Sequence, residues 1–144
     1  MSILVFTIRL FCALLAGLCI GFERQWHHKS AGLRTVTLVA LGSALYVLLS
    51  IQLTSGEGDV TRIVGQVVTG IGFLGAGIIF KEGLNVRGLT TAATVWCSSA
   101  IGCLAAAGYY LEALIGTVCI IGVNAFLVPI DKMLRERNTR DKHK

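Results

Sequence analysis

Five apolar runs of about twenty residues each, at 3–22, 33–52, 60–80, 89–109 and 111–128, occupy nearly all of this 144-residue chain. Each is long enough to cross a hydrocarbon core about 30 Å thick, and little more than turns lies between them. Hydrophobic residues make up 54% of the chain and charged residues 15%, with a mean hydropathy of +0.74, too apolar for a soluble domain of this size. In lipid the backbone of each run must satisfy its own hydrogen bonds, which selects helices. The expected fold is an all-α integral membrane bundle of about five transmembrane helices over residues 1–130, with a basic tail over 131–144. The first run reads as an uncleaved span. No positive charge precedes Arg9, and no small-x-small cleavage site precedes Glu23.

The net charge of +5 matters less than its placement. Arg24, Lys29 and Arg34 flank the first loop, and Lys81 and Arg87 lie in the third. Lys132, Arg135, Arg137, Arg140, Lys142 and Lys144 crowd the tail. The second loop carries Glu57 and Asp59 and no cation, and Glu112 sits in the fourth turn. The positive-inside rule therefore predicts an N-terminus outside and a C-terminal tail in the cytoplasm. The tail has no interleaved aromatic residues for stacking bases, so it points to anionic lipid and not to nucleic acid. The five cysteines all lie in apolar runs without a C-x-x-C pair and read as small buried hydrophobes.

The most patterned stretch is 65–96. Its apolar run is interrupted by Gly70, Gly72, Gly75 and Gly77; a charged turn and Gly88 follow, and Thr90 and Thr91 open the next run. Gly70, Gly72 and Gly75 match G-x-G-x-x-G, but a dinucleotide site needs a preceding strand and a later acidic residue, and neither is present. In a bilayer such glycines let helices approach closely, or break a helix where protein shields its backbone. Ala13, Gly17 and Gly21 repeat at four-residue steps in the first run, as do Ser98 and Gly102 in the fourth, forming small-residue faces suited to helix contact.

Charges inside spans carry more weight, because each is costly in lipid. Arg9 lies about 9 Å inside the first span at 1.5 Å per residue. Arg62 opens the third span, with Gln66 one turn deeper. These three are expected to form an outward-facing polar cluster for an anionic ligand or a partner's carboxylate, with Glu112, Glu57 or Asp59 as partners of Arg9. At the other end stand Glu23, Arg24, Trp26, His27, His28, Arg34 and Thr35, and across the third loop Lys81, Glu82, Asn85 and Arg87. Glu23 is expected to pair with Arg34 or Arg87, and Trp26 to sit in the interface belt. The two histidines read as solvated. No span interior holds a carboxylate, no metal-ligand set or nucleophilic triad can be assembled, and neither a cofactor nor an enzyme is expected.

Four segments resemble the MgtC/SapB family of bacterial inner-membrane proteins: GFERQW at 21–26, AGLRT at 31–35, RIVGQVVTGIGFLGAG at 62–77 and EGLNVRGLTTAATVWC at 82–97. The resemblance implies a five-span bundle in the bacterial inner membrane. It also implies a link to growth under magnesium limitation and, in pathogens, to survival inside host cells. Family activity has been described as magnesium transport. The absence of a ligand set favours a regulator acting on other membrane proteins through helix contacts, and homo-oligomerisation suits so small a bundle. The alternative is a transporter, or a component of one, for Mg2+ or another small solute. Longer members carry a cytoplasmic regulatory domain after the last span, so the resemblance is to the membrane region.

Overall fold

The structure, a computed structural model, describes residues 1–54, 59–82 and 85–141. Among the described residues there are five helices: α1 (Ile3–Trp26), α2 (Leu33–Leu53), α3 (Thr61–Ile78), α4 (Leu89–Ala107) and α5 (Tyr110–Asp141). All five are long and apolar enough to cross a membrane, so the all-α bundle expected from the sequence is the fold. The apolar part of α5 ends at Val128, but the helix continues to Asp141. Its 32 residues reach about 48 Å, well beyond one hydrocarbon core. The third loop adds a feature absent from the sequence reading: strands β1 (Phe80–Glu82) and β2 (Asn85–Arg87) pair antiparallel, Phe80 opposite Arg87.

The bundle is built around α2 and α4. About half of each is buried, 50% and 56%, against 11% of α3. Helix α4 packs on α1, α2, α3 and α5. These central helices bury small side chains, Ala40, Ser43 and Ala44 on α2 and Ala92, Ser98, Ser99, Ala105 and Ala106 on α4, and meet directly at Gly102 against Ala40 and at Ser43 against Ser99. Lipid gives no hydrophobic drive to join two apolar helices, so close backbone approach must supply contact energy. Several buried hydroxyls are satisfied locally, while the Thr37 hydroxyl on α2 has no partner among the described residues. Ser43 and Ser99 bond across the α2–α4 contact at 2.7 Å. The Ser98 hydroxyl donates to the Thr94 carbonyl and that of Thr117 to the Ala113 carbonyl, both at 2.7 Å.

At the start of α3 the exposed Asp59 carboxylate accepts the Thr61 backbone N–H at 2.9 Å and also the Thr61 hydroxyl. These bonds to the charged form hold the Asp59 pKa below the ordinary value. Because the folded pKa is depressed, its stabilisation is present above about pH 3.9, the unfolded value, and is lost as pH falls through the folded one. An NMR titration of the solubilised protein should place the Asp59 midpoint below 3.9 in the wild type and move it upward in Thr61→Val.

Candidate functional site

At the end of the bundle where α1 stops and α4 begins, three polar side chains are drawn inside. Arg24 is 1% exposed, and its Nη2 donates to Thr91 Oγ1 at 2.8 Å. Ser30, in the α1–α2 turn, donates to the same oxygen at 3.5 Å. Glu23, also buried, bonds through Oε1 to His27 Nδ1 at 3.0 Å, one turn further along α1. Arg24 Nε and Glu23 Oε2 have no hydrogen-bond partner among the described residues. Glu23, expected to pair with Arg34 or Arg87, pairs with His27, and His27 is tied to α1 rather than merely solvated. Arg34 is exposed near the start of α2. Asn85 and Arg87 are exposed on β2, and Thr90 is exposed on α4. Trp26 is exposed and tilts against Phe22 with ring centroids 5.9 Å apart, as suits an interfacial aromatic pair.

Glycine sets how closely α1 meets α2 beside this site. A Cβ on Gly21 would approach the Leu33 backbone at 2.8 Å, and one on Gly17 would meet Thr37 Cα at 3.0 Å. The small-residue face of α1 thus seats that helix directly on α2. On α4, Gly102 lies against the Ala40 carbonyl so closely that no side chain fits. At the head of α4, Gly88 adopts φ +88° against the Ile78 carbonyl, a backbone geometry that also excludes a side chain.

The opposite end differs from expectation. Arg9 Nη1 donates to the Ala106 carbonyl at 2.9 Å, and its guanidinium lies over Gly108, whose φ is +93°. Its acceptor is the last turn of α4, where orphan carbonyls and the helix dipole favour a cation. No ion pair joins Arg9 to Glu112 among the described residues; Glu57 lies outside them. Arg62 and Gln66 are both exposed on α3, with the Asp59 charge beside Arg62. Of the expected outward cluster, Arg62 and Gln66 share an exposed stretch of α3, while Arg9 caps α4.

The glycines of α3 behave unlike those of α1 and α4. Helix α3 is continuous through Thr61–Ile78, so the glycine run does not break it. Gly65, Gly70, Gly72 and Gly77 have open space where a Cβ would sit, and Gly75 would make only an ordinary 3.9 Å contact with Ala92. Only Ile71 of this helix is buried. Two free faces result. Gly65, Thr69, Gly72 and Ala76 follow one another at three- and four-residue steps as an outward stripe of small residues, all exposed. Gln66, Gly70 and Leu74 form the next face and, with Thr35, Gly42 and Tyr46 of α2, line a cleft of about 700 Å³.

The MgtC family profile matches residues 10–133. Protein MgtC of Brucella abortus (strain 2308) is 59% identical over 122 residues, 85% of this chain and 51% of its own length. Protein MgtC of Salmonella typhimurium (strain LT2) is 49% identical over 122 residues, 85% of this chain and 52% of its own. A Synechocystis protein is 47% identical over 130 residues, 90% of this chain and 55% of its own. The chain thus spans about half the length of the curated relatives it matches. No solved structure matches it.

Proposed function

The chain belongs to the MgtC family, and from that premise we propose that this multi-pass membrane protein regulates other membrane proteins through its open α3 face. Its place would be the bacterial inner membrane, N-terminus outside and C-terminus in the cytoplasm as the loop charges favour, and its setting the response to magnesium limitation and host survival. No catalytic role is assigned to it. The observation carrying this reading is the division of its glycines. Gly17, Gly21 and Gly102 are consumed by packing inside the bundle, whereas Gly65 and Gly72 of α3 meet nothing. A smooth stripe of small residues on a lipid-facing helix is suited to another helix, which can approach closely and gain van der Waals contact. Arg62, exposed on the same helix, would supply a polar contact for an acceptor on that partner.

The alternative, a solute pathway at a discontinuous helix, has no break in α3 to use. The two readings separate on one purification. Native membranes from cells grown in low magnesium would be solubilised and whatever accompanies the tagged protein identified by mass spectrometry, with Gly72→Leu beside the wild type. A membrane protein present at near-equal amount and lost from Gly72→Leu is the expected result. Self-association alone, unchanged by the substitution, would sink the regulatory reading and send the purified protein into liposomes for flux assays.

A further inference from the structure

The cleft between α2 and α3 lies on a different face of α3 from Gly65, Thr69, Gly72 and Ala76, so it is a separate surface from the docking stripe. Leu38, Tyr46 and Leu74 at its lips are exposed, and both walls belong to helices able to cross a membrane. It therefore opens sideways into hydrocarbon, and its occupant comes from the bilayer. Its volume of about 700 Å³ falls within the range of small-molecule sites. Its length is the more telling quantity. Thr35 and Tyr46, its ends on α2, are about 16 Å apart along the helix axis, and Ile63 and Leu74 on α3 are separated by the same amount. That is about half of a core about 30 Å thick, close to the reach of one acyl chain; a transmembrane helix would want a groove along the whole span.

The two mouths differ in charge. At the Thr35 mouth, Arg34 is the preceding residue and is exposed, and the same end of the bundle carries Lys29, Lys81 and Arg87. At the Ile63 mouth the positive charge of Arg62 is offset by Asp59. We infer that the cleft holds an acyl chain of an anionic phospholipid, with its phosphate at Arg34 and Thr35. The cationic mouth selects the headgroup, and Gly42 and Gly70 leave the walls clear for the chain, since neither glycine has a neighbour within 4 Å of a Cβ position. Thr35 supplies a hydroxyl donor at the level of the phosphate.

Native mass spectrometry of the full chain, stripped of lipid in detergent and titrated with phosphatidylglycerol or phosphatidylethanolamine, tests this directly. The wild type should retain phosphatidylglycerol at least about tenfold more tightly than phosphatidylethanolamine. Gly42→Leu, and independently Gly70→Leu from the other wall, should weaken binding of both lipids about tenfold or more. Arg34→Ala should remove the preference between headgroups while leaving chain binding in place. Thermal unfolding of each variant confirms that it is folded; two wall variants are used so that one folding failure leaves the test intact. Equal retention of the two lipids by the wild type, or wall variants that bind as the wild type does, would overturn the assignment. So would a co-purifying polypeptide displaced by Gly42→Leu and Gly70→Leu, which would give the cleft to a helix.

Discussion

Gly102→Leu is expected to prevent the bundle from assembling, while Gly72→Leu leaves it intact. The two substitutions add the same side chain to helices of similar length. At Gly102 the new Cβ runs into the Ala40 carbonyl, part of the α2 backbone, which cannot move without separating the two central helices. Overpacking a well-filled site costs about 1–3 kcal/mol, and a collision with backbone lies at or above the upper end. Even Gly102→Ala should lower the thermal midpoint of the solubilised protein. At Gly72 nothing lies within 4 Å, so the leucine enters lipid or the space reserved for a partner. Thermal unfolding in detergent separates the two positions. Equal midpoints for Gly102→Leu and wild type would refute the α2–α4 contact.

The second large effect concerns the buried guanidinium. Thr91→Val keeps the shape of the site but removes the oxygen that receives Arg24 Nη2, leaving a buried charge short of its acceptor. Hydrogen bonds to charged groups are worth about 1.5–3 kcal/mol, and that is the expected loss. Arg24→Met alone should cost a similar amount, because it leaves Thr91 Oγ1 with only the longer 3.5 Å bond from Ser30 and removes a cation from beside Glu23. The double variant should lose clearly less than the two single losses combined, by about 0.5–3 kcal/mol, since neither group is then left to satisfy. Strict additivity in a double-mutant cycle, measured by unfolding in mixed micelles, would show that the two side chains do not interact.

Hydropathy was enough to read the five spans, because crossing lipid leaves only length and apolarity as variables. The small faces of α1 and α4 were also legible: Gly17, Gly21 and Gly102 pack as their four-residue spacing suggests. The glycine-rich segment of α3 was harder. Its composition promised close packing or a break, and within this chain it makes neither, because spacing alone does not say whether a neighbour is present. Arg9 escaped for a different reason. A search for acidic partners overlooks backbone carbonyls, and the last turn of α4 offers them at the depth of Arg9. Arg24 looked like an interfacial cation in a polar loop. It is buried with its guanidinium on Thr91 of α4, a partner 67 residues away that no local pattern encodes. The hairpin of β1 and β2 is too short to show a two-residue alternation.

The central claim is that the outward stripe of α3 is covered by a helix of another membrane protein. A photo-crosslinking residue placed in living cells at Thr69 or Ala76 probes that stripe, and one at Leu45, exposed on α2, reports a lipid-facing control. The expected result is a discrete adduct with a second polypeptide from Thr69 and Ala76, none from Leu45, and loss of the adduct in Gly72→Leu. Adducts with lipid alone at all three positions would contradict the claim.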